Sequence, residues 1–321
     1  MMKYKAIFMV ILISAVSPAL ADAQPGSSPI LEGPYLGQEP PGDTPVLFSP
    51  GVISTGKEHS AAMFTPDGNE VWFGRLFPAA IYFMSRTDGK WTEPQLAPFC
   101  DTSTTSLYPV LSHEGTQVFF SSDRPLNPQA QKLPRGDYHL WVSEKTAGQW
   151  SDPQHLDDSI NLGRRQSCGY VAANGDLYFA SFVQDRSLDI FYSKSIGDGY
   201  GNPESLSAVN SPTPDHSPFV APDRSYLIFS SFRGGLGRSD LFISFRDQNG
   251  HWSKPENMGS TINSEFKDEY PYVTPDGNYL FFNSNRPSSL NKEVIGDGPG
   301  NIYWVDAGII ERLKLKSGGA R

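Results

Sequence analysis

Thr65-Pro-Asp-Gly-Asn-Glu-Val-Trp-Phe73 joins a tight-turn signal to a short β-prone run. The pair recurs along the chain. The turn returns as Ser112-His-Glu-Gly115, Ala172-Ala-Asn-Gly175, Ala221-Pro-Asp-Arg224 and Thr274-Pro-Asp-Gly277. Their third residues are spaced by 47, 60, 49 and 53 positions, so a unit of roughly fifty residues is repeated five times. The run returns as Gln117-Val-Phe-Phe120, Asp176-Leu-Tyr-Phe179, Tyr226-Leu-Ile-Phe229 and Tyr279-Leu-Phe-Phe282. An Arg follows each run, at 75, 124, 186, 233 and 286. A third strand comes next: Ile81–Met84, Tyr138–Trp141, Leu188–Phe191, Asp240–Ile243 and Asn301–Trp304. A hairpin signal then leads to a short fourth strand in four units: Asp88-Gly-Lys-Trp91, Ala147-Gly-Gln-Trp150, Asp198-Gly-Tyr200 and Asn249-Gly-His-Trp252. Asp-Gly and Asn-Gly supply the positive φ that such hairpins need.

Four antiparallel strands per unit is the pattern of a propeller blade. A lone blade leaves apolar faces uncovered, so neighbours must stack and the ring must close. The fold class is therefore all-β, a single β-propeller of five four-stranded blades. The last unit has no fourth strand of its own, and Ala307–Leu315 reads as a short C-terminal helix. Pro45-Val-Leu-Phe48 matches the segments that begin at Pro94, Pro153, Pro203 and Pro255. This N-terminal strand can complete the fifth blade and remove the open edge. Residues 24–50 are too rich in Pro and Gly to build a sixth.

Thr65-Pro-Asp-Gly-x-x-Val-x-Phe, Ser284-Asn-Arg286, Gly234-Gly-x-Gly-x-Ser-Asp240-Leu-Phe and Gly250-x-Trp-Ser-x-Pro-x-Asn257 resemble PD40 repeats. These are the WD40-like repeats of TolB-type propellers, and the resemblance covers residues 44–306. It implies periplasmic binding and scaffolding. It does not extend to the further N-terminal domain of TolB or to an OmpA-like module, so no role in the Tol system is implied.

The N-terminus reads as an address. Lys3 and Lys5 precede an apolar run, Ala6–Val16, and Ala19-Leu-Ala21 fits a signal-peptidase site. The expected organisation is a signal peptide at 1–21, a flexible leader at 22–43, the propeller at 44–316 and a tail at 317–321. The expected destination is the periplasm or the exterior, with no membrane span. The whole chain carries 26 Lys+Arg against 35 Asp+Glu, net −9. Removal of residues 1–21, which hold two Lys and no acid, makes this −11. That balance disfavours nucleic acid and anionic lipid as partners. A protein or cell-envelope glycan partner and a monomeric state are the expectation. Cys100 and Cys168 are the two cysteines. An oxidising compartment permits a bridge, and two separate thiols are the alternative.

Strand order places the turns between first and second strands on one face. The opposite face carries the long loops 126–136 and 287–300, and the beginnings of the innermost strands converge there. The ligand-binding candidates at this funnel are Glu58, His59, Tyr108, Arg165, Asp215, His216, Glu269 and Tyr270. Polar strand ends pairing with Arg, backbone and water is the structural alternative. The five Arg (Arg75, Arg124, Arg186, Arg233 and Arg286) are secondary candidates, as donors to carboxylates or sugar hydroxyls. Alternatively they pair around the loop that follows each second strand, Arg186 with Asp189, and Arg233 and Arg238 with Asp240. No metal site is assigned. A divalent cation in the channel would draw on His59 and His216 with Glu58, Asp215 and Glu269.

The favoured function is a non-catalytic exported propeller that binds at the face of the loops between second and third strands. The alternative is a glycoside hydrolase with paired carboxylates from Glu58, Asp215 and Glu269. Against it, the sialidase Ser-x-Asp-x-Gly-x-Thr-Trp box is missing, and Asp88-Gly-Lys-Trp91 lies in a hairpin without the preceding pattern. There is no Gly-x-Ser-x-Gly elbow. Gly234-Gly-Leu-Gly237 joins two strands and is not a phosphate loop.

Overall fold

The computed structural model describes residues 31–318, except 58, 77, 102, 128, 135, 162–164, 184–186 and 291–299; the side chains of 61, 168 and 183 are also outside the description. Glu58 and Arg186 therefore lie outside the described residues.

The five repeats form five antiparallel sheets. Blade 1 runs outward through His59–Phe64, Glu70–Leu76, Ala79–Thr87 and Gln95–Leu96. Blade 2 uses Ser106–Leu111, Gln117–Ser122, His139–Thr146 and Gln154–His155. Blade 3 uses Ser167–Val171, Leu177–Val183, Ser187–Ser193 and Glu204–Ser205. Blade 4 uses Asp215–Val220, Tyr226–Ser231, Asp240–Phe245 and Glu256–Asn257. Blade 5 uses Asp268–Val273, Tyr279–Ser284 and Asn301–Asp306, and its outer strand is Val46–Leu47 from the N-terminal side. Val46 pairs with Trp304 and Leu47 with Tyr303, which closes the ring as the sequence predicts. Innermost strands touch in the order 1-2-3-4-5-1. One helix, Gly308–Lys316, follows and buries Ile309, Ile310 and Leu313.

The outer strand differs from expectation. Lys90–Trp91 and Gln149–Trp150 pair only with the far tip of the third strand. The segment after the next Pro carries the pairing along its body, Tyr82 with Leu96 and Trp141 with His155. The Gly-x-Trp turn folds the chain back too sharply to extend the ladder, and the chain re-enters the sheet after Pro94 or Pro153.

Each second strand is apolar on both sides because blades cover both its faces. Trp72, Phe73, Phe120, Phe179, Phe229, Phe281 and Phe282 have at most 1% of their surface exposed. Part of the stretch expected to be a flexible leader is packed, around residues 31–38. Leu36 is buried, and the Tyr35 ring lies 5.1 Å from both Phe64 and Tyr279. Trp91 Nε1 donates to the Gly33 carbonyl at 2.7 Å. Apolar side chains at 35 and 36 hold this segment on the seam between blades 5 and 1. Cys100 is a free, half-buried thiol, raised above its ordinary pKa by burial.

Two polar devices recur and hold the blades to their connections. In the first, an Asn side chain bridges the third strand's backbone. Asn263 Oδ1 accepts from Leu241 N at 2.8 Å while its Nδ2 donates to Leu241 O at 3.0 Å. Asn161 does the same on Leu140, and Asn210 on Ile190. Ser54 takes the role on Ile302 in blade 5. These amides satisfy buried backbone groups beyond the end of the short outer strand. The second device is the Arg series.

Candidate functional site

Four of the five Arg side chains are described, and each is engaged in the same way. The guanidinium lies against aromatic rings and donates to a carbonyl of the connection entering its blade. Arg286 Nη2 donates to Ile262 O and to Asp268 Oδ1, each at 2.6 Å, and its carbon lies 5.3 Å from the Phe282 ring centre. Arg233 repeats this with Val209 O, Asp215 Oδ1 and the Phe229 ring. Arg124 donates to Phe99 O and lies over Phe120 and Trp141. Arg75 donates to Val52 O and lies over Phe73 and Tyr82. Asp215 and Asp268 are fully buried, and each also accepts from a backbone N–H, Ser211 and Ser264 respectively. The pairing of Arg233 with Asp240 does not form. Asp240 instead accepts from Leu236 N, Gly237 N and Asn257 Nδ2, and so braces the Gly-rich loop.

The innermost strands shape the mouth. Each contains a bulge, where pairing shifts between Leu107 and Val110, His216 and Phe219, and Glu269 and Tyr272. The bulge puts Tyr108, Ser217 and Tyr270 in the left-handed region, at φ 56°, 51° and 56°. Each is followed by a Pro: Pro109, Pro218 and Pro271. Left-handed backbone at a tyrosine costs on the order of 1 kcal/mol and persists only where the surroundings impose it. Blade 3 carries Gly169 in the Pro position. A Cβ there would meet the Pro218 ring at 2.4 Å and its carbonyl at 2.6 Å, so the neighbouring Pro requires the glycine.

The twisted backbone brings Tyr108 of blade 2 and Tyr270 of blade 5 together. Their rings stack with centres 5.2 Å apart and planes 20° from parallel. Blades 2 and 5 are not neighbours, so the pair spans the axis. A space of about 20 Å³ remains among Ser60, Met63, Gly169, Ser217 and these rings, on the scale of one water molecule. Side chains thus fill the channel just below its mouth.

Beside the tyrosines, His216 Nε2 faces Glu269 Oε1 at 3.7 Å, and His216 Nδ1 is 2.9 Å from Ser217 Oγ. Burial lowers the His216 pKa, opposed by Glu269 and Asp215 and reinforced by Lys267. The imidazole is neutral at pH 7. Its ring is also 5.8 Å from Phe232 and 6.3 Å from Tyr270. His216, Glu269, Tyr108 and Tyr270 therefore form one cluster.

The other candidates lie apart from it. His59 is buried, and its Nε2 accepts from Thr55 N at 3.3 Å. Burial and Arg75 push its pKa down to about 4. Arg165 is exposed and lies over Phe182, 5.3 Å from its ring centre. Among the described residues no three His, Cys, Asp or Glu side chains are arranged to hold a metal ion, and Glu58 lies outside them. Arg233 engages Asp215, and His59 faces its own blade. A cavity of about 660 Å³ lies away from the mouth, between blades 2 and 3.

Sequence reading missed the Asn bridges and the bulge. Both left a signal: an Ile-Asn or Val-Asn pair at 160–161, 209–210 and 262–263, and Tyr-Pro or Ser-Pro inside three inner strands.

A protein assigned as TolB from Agrobacterium tumefaciens superposes with a TM-score of 0.50 over 78% of this chain and 77% of its own, at 16% identity. The fold is that of a TolB-type propeller. TolB from Acinetobacter baumannii is similar at a TM-score of 0.48 and 12% identity; this chain spans 57% of its length. A Trypanosoma rangeli sialidase in complex with the inhibitor DANA is similar at 0.42 and 12%, again over 57% of that chain. No known family profile matches the chain, and no curated protein does. At these identities the likeness to TolB-type propellers describes the fold, with which the PD40-like repeats are consistent. No helix among the described residues is long and apolar enough to cross a membrane.

Proposed function

We propose that this chain is an exported, non-catalytic binding propeller. It takes a protein or cell-envelope glycan partner at the mouth bearing the loops between second and third strands. Residues 1–21 are its export signal and 44–316 its propeller. The observation that carries this reading is the Tyr108–Tyr270 stack across the axis. Two half-buried rings are held there on left-handed backbone, next to the His216–Glu269 pair. Aromatic faces beside hydrogen-bonding groups suit a sugar ring or a partner side chain.

The hydrolase alternative needs two available carboxylates. Asp215 is buried in its ion pair with Arg233, and Asp268 in its pair with Arg286. That leaves Glu269 among the described carboxylates of the mouth cluster, which favours binding over cleavage.

The test is a thermal-shift screen of the mature chain against oligosaccharides and peptidoglycan fragments. A ligand at 100 times its Kd stabilises by roughly 2.7 kcal/mol. The proposal expects a shift with one ligand class that Tyr270→Ala and Tyr108→Ala each reduce. A shift that both variants leave intact moves the site elsewhere. Turnover of any glycan, abolished in Glu269→Gln, refutes the non-catalytic reading.

A further inference from the structure

Three blades carry the same outer plug, a cation paired across the hairpin with a Trp. In blade 1 Arg86 pairs with Trp91, in blade 2 Lys145 with Trp150, and in blade 4 Arg246 with Trp252. The cation lies 5.5 to 5.6 Å from the indole centre each time. At the junction of blades 1 and 2 the role of the plug is explicit. The Trp150 ring lies 5.1 Å from that of Trp72 in blade 1, and Lys145 Nζ reaches Glu70 Oε1 at 2.6 Å. Blade 2's plug thus fills the seam over blade 1.

Blade 3 departs from the pattern. The paired positions are Ser195 and Tyr200, on a hairpin separate from the main sheet. Both line the cavity of about 660 Å³ between blades 2 and 3. Its floor includes Phe119, which occupies the position of Trp72 in the second strand. Its rim carries Glu114, Glu144, Asp157 and Asp198, and none of its lining residues is Lys or Arg. Ile196 stands on the same hairpin, 63% exposed. What this seam lacks relative to its neighbour is the cation and the indole, Tyr200 standing at the Trp position with a smaller ring. What it offers is an aromatic floor and an acidic rim.

We propose that this groove is a docking site for a protein partner that inserts an aromatic side chain flanked by Lys or Arg. The partner segment supplies from outside the cation and ring that Lys145 and Trp150 supply within the chain. The groove opens on the side of the hairpins and of the Ser112–Gly115 turn, opposite the mouth, so this inference does not rest on the binding reading above. Cation–π contact and charge complementarity both favour such a segment.

The probe is the capped tripeptide Lys-Trp-Lys, titrated at millimolar concentration into the full mature chain and followed by NMR shifts. The controls are Glu-Trp-Glu and Lys-Ala-Lys. The expected result is shifts at groove residues with Lys-Trp-Lys, at least tenfold weaker with either control. The double variant Ser195→Lys/Tyr200→Trp refills the groove and should weaken the peptide at least tenfold. Should that variant misfold, Glu114→Gln/Glu144→Gln keeps the test open and should weaken it several-fold. Tyr270→Ala should leave it unchanged. No shifts with Lys-Trp-Lys, equal binding of Glu-Trp-Glu, or affinity unaffected by the folded variants overturns the proposal. So does a concentration-dependent dimer of the chain that the groove variant abolishes, because a second copy would then be the occupant.

Discussion

Replacing Arg286 with Ala measures whether the Arg series holds the ring together. Arg286 meets Asp268 at 2.6 Å, and the carboxylate has no exposed surface. Removing the cation leaves that carboxylate buried, with the Ser264 N–H and hydroxyl still donating to it. Breaking one side of a buried pair costs about 3–5 kcal/mol. For a domain of this size that is a fall in Tm of roughly 6–10 °C. Arg124 is the internal control. It has the same place on its aromatic rings and the same carbonyl contact, but faces the Ser106 hydroxyl at 3.5 Å where Arg286 faces an Asp. Arg124→Ala gives up hydrogen bonds to neutral acceptors and ring contact, with no buried charge left behind, and should cost about 1–2 kcal/mol. Asp268→Ala/Arg286→Ala should cost less than the two single losses combined. Calorimetry at pH 7.5 reads all of this. Equal losses for Arg286→Ala and Arg124→Ala, or additive costs in the double variant, would refute the reasoning.

Three further outcomes follow from the same geometry. His59 is held neutral in the fold, with a pKa of about 4 against 6.5 in the unfolded chain. The unfolded state binds the extra proton between those values, so stability from this residue is complete above about pH 6.5 and declines toward pH 4, by roughly 3 kcal/mol in all; His59→Gln should flatten the Tm–pH curve there, and an unchanged slope argues against a buried neutral ring. Asn263→Ala leaves the Leu241 N–H without its partner, while Leu241 O keeps the Met258 N–H, and should cost about 1–3 kcal/mol, whereas a change under about 0.5 kcal/mol in chemical denaturation would mean that water replaces the amide. Gly169→Ala forces a Cβ into Pro218 and should destabilise by about 2–3 kcal/mol, read by the urea midpoint; a neutral result would show that blades 3 and 4 can move apart there.

Sequence revealed most where one residue type acts locally. The Pro-Asp-Gly turns, the alternation of short apolar runs and the closing strand at Val46 could be read because turn chemistry and strand period are set by neighbours in the chain. The function of an isolated Asn could not. Asn263 reaches a backbone 22 positions away, and nothing next to it reveals the partner. The outer strand was read one turn too early, because the Gly-x-Trp hairpin is the stronger local signal while the pairing depends on how the third strand continues. The partner of Arg233 was misjudged for the same reason. Asp240 is nearer in sequence, but the antiparallel pairing of Asp215 with Ser231 brings Asp215 beside the guanidinium. At the mouth, residue identity located Tyr108, His216, Glu269 and Tyr270 together, because they begin equivalent strands. The same argument over-gathered His59 and Arg165, since strand position does not fix where a side chain turns.

The repeat also provides a way to separate structural residues from those free to act. A residue present at the same position in several blades, with the same partners, is explained by the ring. The Arg–aromatic contacts, the Asn bridges and the cation–Trp plugs are of this kind. A residue that departs from its equivalents needs another reason. For Gly169 the reason is steric, because Pro218 occupies the space of a side chain. For Ser195 and Tyr200 the hairpin leaves a cavity open beside them. For Tyr108 and Tyr270 the departure adds two aromatic rings across the axis. Rings held on left-handed backbone cost free energy that a Gly at the bulge would remove. The closed ring does not require them: Ser217 forms the same bulge without a ring. The bulge therefore does not dictate the tyrosines, and the functional reading is centred on them.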